Sequence, residues 1–203
     1  NSSDIQNGFV PLRSRIEEML AIGKYNTLTI LRDTKVGLFL GNSEKDPEGI
    51  HDVLLPNKYV PNEFEIGEEL IVFVYLDHEE RPVATTLAPY ILLNEFALLR
   101  VNYINQIGAF MDWGMEQDIL VPFKEQARPM EKGKRYLVYL YMDEKTNRLV
   151  ASSKTNQFLS NDHLTVEKGE EVDLIVSHIT EIGINVIING KFRGLAYQNE
   201  VFE

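Results

Sequence analysis

The residues with chemical reach in this chain are aromatic rings and cations. Towards the C-terminal end, Lys191 and Arg193 precede Tyr197. A ring beside two cations can stack on a planar base while the cations neutralise its phosphate. Trp113 sits in the turn Asp112-Trp113-Gly114. A core role is unnatural for so large a ring in a turn, so it is expected to stack on a base or to meet a partner domain. Phe39 and Phe110 each follow a glycine by two residues in apolar segments. Facing outward they would stack on bases; facing inward they would be ordinary core.

Patterns for catalysis are missing from the sequence. The histidines His51, His78, His163 and His178 form no i, i+4 pair, and no cysteine exists to complete a zinc shell or close a disulfide. The acidic pairs Glu68-Glu69, Glu79-Glu80 and Glu170-Glu171 fall where turns and strand edges are expected. There is no glycine-rich phosphate loop, nucleophile elbow or dinucleotide fingerprint. The expectation is a protein that is not an enzyme, with no cofactor and no metal ligands.

The frame that must carry these side chains is repetitive. Val36-Gly37-Leu38-Phe39-Leu40, Ile107-Gly108-Ala109-Phe110-Met111 and Ile182-Gly183-Ile184-Asn185-Val186 align on their glycines. Downstream, Leu54-Leu55-Pro56 aligns with Leu120-Val121-Pro122 and with Leu195-Ala196-Tyr197. The first copy is longer within the polar, turn-rich stretch Asn42–Gly49, where insertion is tolerated. Residues 68–77 then match residues 134–143, and Val83–Thr86 matches Val150–Ser153 as a closing strand. With Asn26–Leu31 and Leu98–Ile104 as opening strands, each full copy holds five short strands and few helix signals. The polar connections 78–82 and 144–148 read as hairpin turns. That pattern predicts an all-β protein of tandem five-stranded OB-fold barrels, with a bend at each strand-interior glycine.

These motifs resemble the RNA-binding repeat of ribosomal protein S1. Gly37-Leu38-Phe39 and Gly108-Ala109-Phe110 match its Gly-x-Phe strand, and Gly194-Leu195-Ala196-Tyr197 its Gly-Leu-x-His, with tyrosine for histidine. Gly169-Glu170-Glu171-Val172 opens the third copy, and Ser152-Ser153-Lys154 closes the second as Ser-x-Lys does. The tandem order and the Leu-Leu-Pro variant are similar to the bacterial conserved virulence factor B family, in which three S1-type repeats precede a winged-helix domain. The resemblance implies RNA binding in a regulatory role, with no catalytic activity. The residues expected to contact the RNA are Tyr197, Arg193, Lys191, Trp113, Phe110, Phe39 and Lys154, of which the motif match supports Tyr197 and Arg193. The first two copies depart from the pattern: Pro56 and Pro122 stand for the histidine, and Val36 and Ile107 for the aromatic before the glycine. In the third, Asn185 replaces the phenylalanine.

The implied layout is a leader over residues 1–21, S1-like barrels over 22–88 and 94–155, and a linker with the first part of a third barrel over 156–203. The leader reads as vector-derived or unstructured, with Met19 a plausible native start. The third barrel is incomplete, which leaves the winged helix as an absent partner domain. The chain lacks an eighteen-residue apolar run and an N-terminal signal core, so a cytoplasmic protein with no membrane partner is expected.

Overall charge is −11, which by itself opposes nucleic-acid binding. Its distribution relaxes that objection. Residues 1–93 carry −7 and residues 156–203 carry −5, whereas residues 94–155 carry +1. Two functions stay open: single-stranded RNA binding by stacking and a few cations, or a protein-interaction scaffold of degenerate barrels.

Overall fold

The structure is a computed structural model describing residues 20–42, 52–146 and 148–197. Most of the leader, most of the first copy's polar insertion and the last six residues lie outside the described residues. The chain divides into two compact units, residues 1–89 and 90–203.

In the first unit, β1 (Lys24–Thr34), β2 (Gly37–Gly41), β3 (Val53–Pro56), β4 (Glu69–Leu76) and β5 (Pro82–Thr85) form a closed barrel in the order β1-β2-β3-β5-β4. Period-two alternation turns Leu28, Ile30, Leu38, Leu40, Val53 and Leu55 into its buried interior. β1 is long because it pairs with β2 at one end and β4 at the other, which closes the barrel.

The second unit repeats the plan. β6 (Phe96–Ile104), β7 (Gly108–Asp112), β8 (Ile119–Pro122), β9 (Arg135–Met142) and β10 (Leu149–Ser152) form a five-stranded sheet ordered β10-β9-β6-β7-β8. Its end strands approach each other, and the Ser152 hydroxyl and Ser153 N–H both donate to the Glu125 carbonyl, at 3.2 and 3.0 Å. The third copy supplies a meander of β11 (Leu174–Thr180), β12 (Gly183–Ile188) and β13 (Phe192–Tyr197). Ile187, fully buried, packs this sheet against Phe96 and Leu159, with Tyr139 and Phe158 around them. The opening strand begins at Leu174, later than the expected Gly169, because pairing starts opposite Ile188, where β12 ends. The all-β class and the tandem OB-type barrels expected from the sequence hold, and no helix among the described residues is long and apolar enough to cross a membrane.

Two backbone devices recur in all three copies. Gly37, Gly108 and Gly183 pair with Pro56, Pro122 and Tyr197, so the sequence alignment is also a register. Each glycine is the first residue of its strand. A side-chain carbon there would run into the carbonyl oxygen of Leu55, Val121 or Ala196, so close approach of the neighbouring strand is what demands glycine. Six residues earlier, one residue of the preceding strand is extruded from the ladder: Leu31, Asn102 or Ser177. These bulges re-aim the next side chain.

Candidate nucleic-acid interface

The bulges set Arg32 opposite Phe39, Tyr103 opposite Phe110 and His178 opposite Asn185. One position in the fold thus carries three different pairs. Phe39 and Phe110 are half-buried, while their neighbours Leu38, Leu40, Ala109 and Met111 are fully buried. Both rings therefore sit on the outer face of their barrels.

In the first copy the Arg32 guanidinium carbon lies 4.3 Å from the centre of the Phe39 ring. Arg32 Nη1 also lies 2.8 Å from Oδ2 of Asp52, whose side chain is only 5% exposed. The cation and one ring face are thus engaged within the barrel. In the second copy Tyr103 and Phe110 stack with centroids 4.5 Å apart and planes 7° from parallel. Tyr103 is 44% exposed, and Asn102 is tied by its side-chain amide to Asp118 at 3.0 and 3.1 Å. The outcome is an open two-ring platform. In the third copy the Ser177 hydroxyl donates to the Asn185 carbonyl at 3.1 Å and lies 3.0 Å from His178 Nδ1.

Strand alternation puts Arg193 and Tyr197 on one face of β13, with Tyr197 52% exposed, and Lys191 lies in the turn just before the strand. Asn161 clamps the strand there: its side-chain oxygen accepts from Arg193 N–H at 2.9 Å and its amide donates to the Arg193 carbonyl at 3.0 Å. Among the described residues no carboxylate pairs with Lys191 or Arg193.

Trp113 is a correction. It is 4% exposed, and its Nε1 donates to the Gln117 carbonyl at 2.6 Å. The turn that carries it is closed by the Gly114 amide donating to Asp112 Oδ1 at 2.9 Å. The ring offers no face to a base. Lys154 is exposed beyond β10 and lines a separate cleft. Sequence reading missed Tyr103, Arg32 and His178. All three stand five residues before the aligned glycine, so carrying the alignment upstream would have exposed them.

The clear pKa shifts lie elsewhere. Burial, with Glu125 and Asp143 nearby, pushes the Tyr141 hydroxyl up to about 12. Burial also opposes ionisation of Asp77, but hydrogen bonds from the Arg81 and Glu79 amides and the Arg81 guanidinium hold its carboxyl below the usual range. Neither shift gives the ring positions an acid or base poised near neutral pH. Among the described residues no group of three or more His, Asp and Glu could hold a metal ion.

The S1 domain family matches residues 22–87 and 95–154, which contain the two barrels. The chain belongs to the S1 domain family. Of curated relatives, this S1-repeat chain is 27% identical over 186 residues to the YitL protein of Bacillus subtilis (strain 168), covering 89% of this chain and 58% of that one. It is 23% identical over 146 residues to conserved virulence factor B of Staphylococcus aureus (strain N315), covering 68% and 49%. The chain therefore spans about half the length of the curated relatives it matches. The expected resemblance to virulence factor B-like S1-repeat proteins holds. A similar solved structure is that of a multidomain protein with nucleic acid binding domains from Streptococcus pneumoniae TIGR4, with TM-score 0.53 and 16% identity over 90% of this chain and 64% of that one. At that identity the likeness speaks for the fold.

Proposed function

We propose that this chain binds single-stranded RNA without catalysis, and that the second barrel's outer face is the main stacking surface. The observation that carries the reading is the exposed Tyr103–Phe110 platform, held on the copy whose net charge is not negative. Parallel rings take unpaired bases and cannot reach bases inside a duplex, which favours single strands. Membership of the S1 domain family and the nucleic acid binding domains of the pneumococcal protein support the partner class. Tyr197 and Arg193 on β13, with Lys191 in the turn before it, add a second contact of the same chemistry.

A second reading has its own support in the first copy. There Arg32 is committed to Phe39 and Asp52, and the segment is acidic. That barrel is better suited to a protein partner than to RNA.

Titration of a labelled, unstructured RNA oligonucleotide at two salt concentrations tests the proposal. Binding should weaken with salt, and Tyr103→Ala or Phe110→Ala should each weaken it by roughly 5- to 100-fold, as loss of one base stack implies. Equal affinity for duplex RNA, or indifference to both substitutions, would sink it.

A further inference from the structure

A second polar site lies within the second unit, away from the stacked rings. A cleft of about 700 Å³ opens between the outer surface of the second barrel and strand β11 of the third copy. Its apolar lining is Leu98, Leu137 and Val176, of which Leu98 is 59% and Val176 56% exposed. Arg128, Arg135 and Lys154 stand around it on the barrel side, and His178 faces them from β11. Ala127, Tyr136, Ser177 and the polar run Ser153–Gln157 complete the lining. Among the described residues no carboxylate lines the cleft, although the chain holds 31 acids against 20 bases.

Among the described residues, none of Arg128, Arg135 and Lys154 joins an ion pair. Arg128 instead rests over the Tyr136 ring at 5.5 Å, which holds the guanidinium in place without neutralising it. Three unpaired cations converging on an open apolar lining match the two ends of a nucleotide. The guanidinium forks suit phosphate oxygens, and the aliphatic surface suits a sugar or base edge. The volume lies in the range of small-molecule sites.

We infer that this cleft binds the phosphate backbone of a single-stranded nucleic acid and so bridges the second and third repeats. The inference rests on the proposed RNA binding and adds a second, electrostatic anchor to it. The strand is favoured over a free nucleotide because the cleft is open at its surface and its walls come from two successive repeats. A polymer gains from both walls.

The test uses the full chain and an unstructured RNA of fifteen nucleotides. Arg128→Glu with Arg135→Glu should lower affinity at least tenfold and flatten the salt dependence by about 1.4 in log–log slope, as loss of two phosphate contacts on a single strand implies. The milder Arg128→Gln with Arg135→Gln should move both readouts the same way, so a folding defect in the first variant does not leave the inference unexamined. The protein contains no cysteine, so Asn156→Cys creates a unique thiol. An aryl-azide probe on that thiol should cross-link the RNA in the wild-type background and lose the cross-link in the charge variants.

Unchanged affinity and slope in both charge variants, or no cross-link from position 156, overturns the cleft. If Tyr103→Ala still weakens binding in that case, the proposed function survives it. If the wild type binds no RNA even at low salt, both fall. If uridine 5′-monophosphate binds as tightly as the oligonucleotide, the cleft is a free-nucleotide site and the strand assignment is wrong.

Discussion

Gly108 and Gly67 separate two reasons for glycine that look alike in a sequence. Gly67 adopts a φ of +91° with open space around it, so alanine there costs only backbone conformation, about 1 kcal/mol. Gly108 faces the Val121 carbonyl and the Pro122 backbone, which cannot swing aside as a side chain would. Gly108→Ala should therefore destabilise by about 3 kcal/mol, and guanidinium unfolding of the two variants side by side measures the difference. Equal losses would mean that strand approach is not the constraint. Trp113 teaches a related lesson. Residue type and a turn location point to an exposed ring, but the ring is buried and its Nε1 is bonded to the Gln117 carbonyl, a contact not encoded in the periodicity.

At the scale of elements, β9 has a pH dependence that can be read from its tyrosines. Tyr141 ionises near 10 in an unfolded chain and near 12 in place, and burial raises Tyr139 as well. Above pH 10 the unfolded chain releases protons that the folded strand retains, so unfolding gains free energy. This part of the stability is intact below pH 10 and is lost as pH rises from about 10 to about 12. Denaturant midpoints taken across that interval should fall, and should fall less in Tyr141→Phe. The bulges show what element-level reading leaves out. The strands around Leu98–Ile104 and the glycine register follow from alternation and repeat alignment. The extruded Asn102 does not, because one extra residue leaves composition unchanged while reversing which side chains face out beyond it. Tyr103 looked like a generic strand residue for that reason.

For the whole molecule, the repeats were legible because the glycine and its strand partner fourteen to nineteen residues on are held by backbone contact in every copy. The cleft was not, since it arises from how the third copy's sheet packs on the second barrel, a long-range matter of Phe96, Leu159 and Ile187. That packing is itself testable. Ile187→Ala removes a fully buried side chain from the seam and should cost about 3 kcal/mol, releasing the sheet more than the barrel. Trypsin cleavage after Arg193, within β13, should then accelerate by on the order of 100-fold under native conditions. If cleavage there is unchanged while the whole barrel melts earlier, the sheet and barrel unfold as one cooperative body.

The recurring bulge and glycine have a further consequence. They make Arg32–Phe39, Tyr103–Phe110 and His178–Asn185 three fillings of one socket, with the same register behind each. Side chains moved between sockets arrive on a backbone already shaped to hold them. At this socket the three copies thus differ in six side chains on one repeated backbone, and exchanging a pair changes the socket without altering the register behind it.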